Sequence, residues 1–349
     1  MSQSGITVAG PNEPYKVVDS IPKPKPQHNQ ALVKSLYVGL NPVEPFMQHT
    51  GVLVTSWPAV IGSDFSGVVV ETGPDCKKLS KGDIVYGCAP VGIGEFSPFQ
   101  ETFLVNEDWV FKKSENVALD AACTVGAGIL TAALALLDGQ HLTLPTPGNK
   151  AEEKDSWIIV MGGSGSVGRY CCQLASLCGY KVLASCSPSK NEITLQAGAS
   201  ATFNNRASVD EQVAEIEKIT GGKFGRVVDA SAQMQAVEAS IKALETVSNE
   251  STKYFATVDD WSPISVPESI NLYRVQLGKV GRDDELGKHV TAKTVEWIPT
   301  FEKNLESGEL RVLDFHLIQG EGWDKIIEGI ADMEAGKLPK KPVVKVQDA

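Results

Sequence analysis

Trp157-Ile158-Ile159-Val160-Met161-Gly162-Gly163-Ser164-Gly165-Ser166-Val167-Gly168 is the stretch on which the fold turns. Its five leading apolar residues read as a strand buried on both faces. GxGxxG follows at once, at Gly163, Gly165 and Gly168, and a helix is predicted over residues 167–177. Alone the motif is weak; between a strand and a helix it points to a dinucleotide loop. Gly163 would permit the tight turn, Gly165 the approach of a pyrophosphate, and Gly168 the close packing of helix on sheet. Amides at the helix N-terminus would hold the anion.

Downstream, strands are predicted at 181–186, 226–230 and 253–258, with helices at 191–197 and 233–244. Such alternation argues for an α/β chain with a doubly wound parallel sheet. An NAD site would carry an acid near the end of the second strand to hold the ribose hydroxyls. Here the residues are Ser185-Cys186-Ser187-Pro188-Ser189-Lys190. Hydroxyls and a cation suit a 2′-phosphate that a carboxylate would repel, so the cofactor is read as NADPH. The plain alternative for Lys190 is a solvated lysine at a helix start.

Upstream, the first third reads as β structure with many turns: strands at 31–38, 67–71 and from 83, separated by Gly73-Pro74-Asp75 and Lys81-Gly82-Asp83. A small-residue helix is expected over 120–137 and a Pro, Gly and Lys-rich loop over 141–155. In the tail a helix is predicted over 319–336 and a strand over 343–346.

The 349 residues suffice for two domains. A net charge of −11 makes nucleic acid a poor partner. No run of about 18 apolar residues suggests a membrane span, and residues 1–19 carry no secretory pattern. Seven cysteines without a CxxC pair read as buried, reduced thiols of a cytoplasmic protein.

With these features in place the chain resembles the medium-chain dehydrogenase/reductase superfamily. The resemblance rests on Leu40-Asn41-Pro42-Val43-Glu44, Gly62-Ser63-Asp64-Phe65-Ser66-Gly67-Val68-Val69, Lys81-Gly82-Asp83-Ile84-Val85-Tyr86-Gly87 and Gly336-Lys337-Leu338. Within it the chain is most similar to the zinc-free fungal trans-acting enoyl reductases of polyketide biosynthesis. Ala127-Gly128-Ile129-Leu130-Thr131-Ala132, Ser185-Cys186-Ser187-Pro188 and the tail from Gly322-Trp323-Asp324 carry that likeness. The resemblance implies a GroES-like domain from residues 1–125 and 300–349, a Rossmann domain from 126–299, and an active site in the cleft between them.

Zinc alcohol dehydrogenases of the superfamily use a Gly-His-Glu histidine as a ligand. This chain has Gly62-Ser63-Asp64 there, and its five histidines show no ligand spacing. Metal is therefore not expected. Hydride addition to an activated C=C needs no Lewis acid, because the substrate carbonyl takes the developing charge.

The reaction so implied is hydride transfer from NADPH to the β-carbon of an α,β-unsaturated thioester, then protonation at the α-carbon. By resemblance Pro42, Val43, Glu44 and Pro45 line the nicotinamide side, and Ser164, Gly165, Ser166 and Val167 hold the pyrophosphate. Ser187, Pro188, Ser189 and Lys190 hold the 2′-phosphate and Asn205 flanks the adenine. Val258 and Asp259 meet the nicotinamide, and Val343 and Val344 close the site. Substrate-facing positions are Phe46, Thr131, Leu134, Ala135, Asp138, Arg274, Val275, Gln276, Leu277 and Gly278. Relatives often carry Lys or Tyr shortly after Asn-Pro, where this chain has Phe46. His49 is then a candidate proton donor, since imidazole exchanges protons near neutral pH, and Glu44 a candidate for orienting substrate. Packing or structural roles remain the plainer readings of both.

The expected partner is a polyketide synthase carrier protein bearing the acyl thioester. Two other functions stay open: a zinc-independent quinone or alkenal reductase, and a non-redox derivative of the fold serving cyclisation or binding.

Overall fold

The computed structural model describes residues 1–149 and 151–348, so that Lys150 of the expected 141–155 loop lies outside the described residues. The chain divides into two compact units, Met1–Ala127 with Gly278–Ala349, and Gly128–Leu277. The second boundary lies earlier than residue 300. Residues 278–299 begin by packing on the first unit: a Cβ at Gly278 would lie 2.8 Å from the Leu53 side chain. Arg282 donates to the Leu53 and Val91 carbonyls, both at 2.7 Å.

The first unit is mainly antiparallel. A hairpin pairs Ser2–Thr7 with Lys16–Pro22. A seven-stranded sheet runs Phe315–Glu321, Lys341–Lys345, Gln30–Gly39, Asp64–Thr72, Ile84–Cys88 and Phe111–Lys112, with Thr102–Asn106 also on Gln30–Gly39. The long Gln30–Gly39 strand, mostly buried, is the spine. Its last residues pair with the C-terminal strand, Val343 opposite Gly39, and its first half pairs with Thr102–Asn106. Phe65 and Phe103 meet edge-on inside, 4.7 Å apart.

In the tail the expected helix over 319–336 begins later, at Trp323. Residues 319–321 instead end the strand Phe315–Glu321, which pairs in parallel with Lys341–Lys345. A ladder to a distant segment outweighs local helix preference here.

The 120–137 segment is a set of short pieces: Leu119–Ala122, Gly126–Ala133 and a π-turn at Leu134–Asp138. Gly126 opens the second piece where the backbone passes close to Gly87, and a Cβ there would lie 2.3 Å from the Gly87 carbonyl carbon. The span Leu119–Asp138 is long and apolar enough to cross a membrane, but most of it is buried within the protein. It is core.

The second unit is a six-stranded sheet, wholly parallel. Its order is Ala201–Asn204, Lys181–Cys186, Trp157–Met161, Phe224–Asp229, Lys253–Thr257 and Ile270–Arg274. Numbered by occurrence this is 3-2-1-4-5-6, the doubly wound dinucleotide-binding order. Trp157–Met161 is therefore central, with both neighbours bonded to it, and Ile158 to Met161 are wholly buried. That burial is why the stretch is apolar without alternation.

Candidate active site

The glycine loop sits at the carboxyl end of the central strand, where ligands of such sheets bind. Gly162, with φ +77°, carries the left-handed turn that had been expected of Gly163. Gly163 is instead a packing glycine: a Cβ there would lie 2.6 Å from the Ala184 methyl on the next strand. A Cβ at Gly168 would meet the Gly162 carbonyl at 2.2 Å, so the helix closes directly on the turn. Ser185 at the end of the second strand anchors the loop, accepting from the Gly162 amide on its hydroxyl (2.9 Å) and from the Gly163 amide on its carbonyl (2.8 Å). The sequence reading did not single out that role.

Gly165 is the N-cap of the helix Ser166–Leu177, and no side chain caps it. A Cβ at Gly165 would touch only the Gly162 carbonyl, at 3.5 Å. The loop thus leaves Gly165 exposed, and the amides of Ser166 and Val167 open the first turn. These features fit a pyrophosphate.

Ser187 leads into the single turn Pro188–Lys190, where the Ser187 and Ser189 hydroxyls lie 3.3 Å apart. No carboxylate ends the second strand; Cys186 is buried and its thiol meets Asn191 Oδ1 at 3.2 Å. These groups fit a phosphate on the 2′ position. Beside the turn is a cavity of about 360 Å³, lined by Pro188, Asn191, Phe203, Asn204, Glu211 and Gln212. Asn205, exposed, is tied back through its amide to the Cys186 carbonyl at 3.1 Å.

Asp229, wholly buried, accepts from the Ser231 amide and hydroxyl and from the Thr257 hydroxyl. Burial pushes its carboxyl up against those bonds. After the next strand, the Asp259 side chain accepts from the Trp261 and Ser262 amides, at 3.1 and 2.9 Å. Burial pushes Asp259 up, yet the Ser262 and Trp261 bonds outweigh it and hold the carboxyl low. Asp259 is thus a loop-shaping residue, and Val258 bonds through its amide to the Asp229 carbonyl.

Arg274 closes the same loop. Its guanidinium donates to the carbonyls of Asp259 (3.1 Å), Ser262 (3.0 Å) and Ile264 (3.2 Å). Next to it, Tyr273 donates to Asp138 Oδ2 at 2.8 Å. The expected substrate-facing residues therefore fare differently. Asp138 ties the π-turn to the edge strand; Leu134 and Ala135 are wholly buried, while Thr131 is half-buried. Val275 is buried, Gln276 donates to Asp260 at 2.5 Å, and Leu277 starts a short turn. Gly278 belongs to the first unit.

In the first unit, Asn41-Pro42 leads into the helix Val43–Thr50. Pro45 fits in its first turn, where an N–H is not needed. Glu44 and His49 share this helix but face apart. Glu44 is wholly buried. It accepts from the Asn41 amide at 2.5 Å and from the Ser63 hydroxyl in a short bond. Burial pushes its carboxyl up to about 7; Asp64 adds to this, while Ser63, Lys341 and the Asn41 amide pull it down. His49 is exposed, with its ring nitrogens 2.9 Å from Glu334 and 3.3 Å from Asn12. That pairing makes it a surface bridge rather than a poised donor. Phe46 is half-buried, and Pro42 is exposed.

The network around Glu44 reaches further than the sequence reading. Asn41 Nδ2 donates to Ser63 Oγ and to Asp64 Oδ2, both at 3.0 Å. Lys341 Nζ donates to Asn41 Oδ1 and to Asp64 Oδ2, both at 2.6 Å. In the tripeptide compared with a zinc motif, Ser63 Oγ and Asp64 Oδ2 thus lie inside this network, while Asp64 Oδ1 accepts from the Ala127 amide at 2.7 Å. Lys341, not singled out from sequence, starts the C-terminal strand. Further on, Val344 is a core residue packed with Val38, Leu40 and Ile326, not a ligand-facing one. Val343 is also wholly buried, on the other face of the strand.

A two-unit chain with this strand order, glycine loop and GroES-like sheet is a medium-chain dehydrogenase/reductase, and comparison agrees. Residues 27–115 match the alcohol dehydrogenase GroES-like domain. Trans-enoyl reductase TOXD of Cochliobolus carbonum is 31% identical over 263 residues, 74% of this chain and 84% of that protein. Dehydrogenase orsE of Emericella nidulans is 27% identical over 347 residues, 94% of this chain and 95% of that protein. Among solved structures, mycobacterial Rv1454c complexed with NADPH superposes with a TM-score of 0.76 at 20% identity, covering 98% of this chain and 99% of that one. The chain belongs to the medium-chain dehydrogenase/reductase superfamily and is an oxidoreductase.

Proposed function

We propose that the protein is an NADPH-dependent, trans-acting enoyl reductase that reduces an α,β-unsaturated polyketide thioester presented by a synthase carrier protein in fungal secondary metabolism. The observation that carries the reading is the pair of turns at the carboxyl edge of the parallel sheet. One is an open glycine turn at Gly162–Gly165, and the other sets Ser187, Ser189 and Lys190 where an NAD site would need a carboxylate. Likeness to TOXD, named a trans-enoyl reductase, supports the choice of substrate class.

Bound NADPH would supply a hydride to the β-carbon. The amides of Ser164, Gly165, Ser166 and Val167 would hold the pyrophosphate, with the helix dipole adding to their pull. Ser187, Ser189 and Lys190 would take the 2′-phosphate beside Pro188, with Asn205 near the adenine. In the first unit, Pro42, Val43, Glu44 and Pro45 would orient the nicotinamide; in the second, the Val258–Asp259 backbone would do so. Phe46 and Thr131, both half-buried, would face the substrate. The α-proton would come from water, because His49 is committed to Asn12 and Glu334. The setting would be the cytoplasm, with no membrane or nucleic-acid partner.

The test is NADPH oxidation followed at 340 nm with a crotonyl thioester, a dienoyl thioester, the same acyl group on a carrier protein, and a quinone. Turnover of thioesters, free or carrier-bound, supports the proposal. Turnover of quinone alone makes the protein a quinone reductase, and NADPH binding without any turnover makes it a non-redox derivative.

A further inference from the structure

Lys341 is a lysine at the first position of a buried strand, preceding a proline. Its side chain is 2% exposed and Asp64, its partner, is fully enclosed. Burying an ion pair is costly and by itself weak evidence of stabilisation. What distinguishes this pair is the third member. The same ammonium donates to Asn41 Oδ1, while Asn41 Nδ2 donates to Asp64 and Ser63. The Asn41 amide is therefore satisfied on both sides, in one orientation only. Asn41 is also the residue from which the chain turns into the helix Val43–Thr50, and its backbone N–H and carbonyl both meet Glu44. Strands that are remote in sequence, at Asp64 and Lys341, thus converge on one side chain that sets the start of a short helix. A helix of eight residues has little stability of its own. Its placement depends on what holds its first turn.

We propose that Lys341 is a positioning residue of the reductase, which fixes the Asn41–Glu44 turn through Asn41 and so orients the groups that turn offers to the nicotinamide. This rests on the functional reading above. The alternative is that Lys341 only neutralises Asp64. The two differ between Asp64→Asn, which keeps the Lys341 bond to Asn41 Oδ1, and Lys341→Met/Asp64→Asn, which loses it; both place the same amide beside Asn41 Nδ2.

The experiment uses the full-length protein. Lys341→Met alone should lower the melting temperature, since it strands a buried carboxylate. The double variant should regain most of that loss. If Lys341 positions the turn, the double variant has a kcat for crotonyl thioester at least tenfold below that of Asp64→Asn, with the KM for NADPH within twofold. Amide hydrogen exchange in peptides covering residues 41–50 is then faster than in Asp64→Asn. A double variant that matches Asp64→Asn in both kcat and exchange overturns the proposal. So does a change in only one of the two, because the turn and the chemistry would then be uncoupled. A wild-type protein that turns over no thioester sinks the enoyl-reductase reading instead. The exchange arm then decides alone whether Lys341 holds the turn.

Discussion

Replacing Glu44 by Gln should change the way stability depends on pH. The carboxyl is wholly buried, and burial, countered by the Ser63, Lys341 and Asn41 interactions, leaves it titrating at about 7 against an ordinary value of 4.5. Below pH 4.5 it is protonated in both folded and unfolded chains and contributes nothing that varies with pH. Between 4.5 and 7 the unfolded chain releases the proton while the folded one keeps it, so stability falls as pH rises. Above 7 the loss is complete. A gap of about 2.5 pH units, at about 1.4 kcal/mol per unit, comes to about 3 kcal/mol. Glutamine cannot titrate. It will carry a fixed penalty of roughly 1–2 kcal/mol, because its amide NH₂ meets a place built from two donors. The assay is urea unfolding of wild type and Glu44→Gln at pH 5, 6, 7 and 8, read by tryptophan fluorescence. The variant should gain on the wild type by roughly 2–3 kcal/mol between pH 5 and pH 8. A difference between the two proteins that stays constant to within about 0.5 kcal/mol over that range would refute the account of Glu44 as a burial-shifted acid.

Three more outcomes follow from the second unit. Gly165→Asp should leave the melting temperature within about 3 °C, given the open space at Gly165, yet weaken NADPH on the order of 100-fold by like-charge repulsion; unchanged affinity in a fluorescence titration removes the pyrophosphate site. Lys190→Ala should weaken NADPH about tenfold, the worth of one charge-assisted bond, and leave NADH within twofold, whereas equal weakening of both cancels the 2′-phosphate role. Arg274→Gln should free the loop that its guanidinium holds by three carbonyls and speed chymotrypsin cleavage after the half-exposed Trp261; a digestion rate equal to wild type would show that the loop does not need the arginine.

Much of the second unit was legible in advance because its signals are local. A strand with both faces buried must be apolar along its whole length, and Trp157–Met161 and Lys181–Cys186 have the bounds that such runs predict. The glycine loop was legible for the same reason, although the division of labour inside it was not. Which glycine takes the positive φ and which one packs on Ala184 depends on how closely the second strand approaches. The edge strand Ile270–Arg274 and the long helix Glu285–Ser307, started by Asp284 accepting from the Gly287 amide, went unread from sequence. Half-exposed positions blur the edge strand's pattern.

What the sequence determined by itself is the class of architecture and the glycine loop after the central strand. Both are written in local patterns, the alternation of strands with helices and one strand–loop–helix unit. The tertiary structure alone decided the company each polar side chain keeps. His49 reads as a candidate proton donor until Glu334, 285 residues away, is found on its ring. Glu44 reads as a candidate for orienting substrate, with a structural role as the plainer alternative, until Ser63, Asp64 and Lys341 are found around it. Lys341 carries no local mark of function, because its meaning lies in Asn41, 300 residues earlier. Charge and desolvation act through space at a few ångströms, and sequence separation says nothing about such distances.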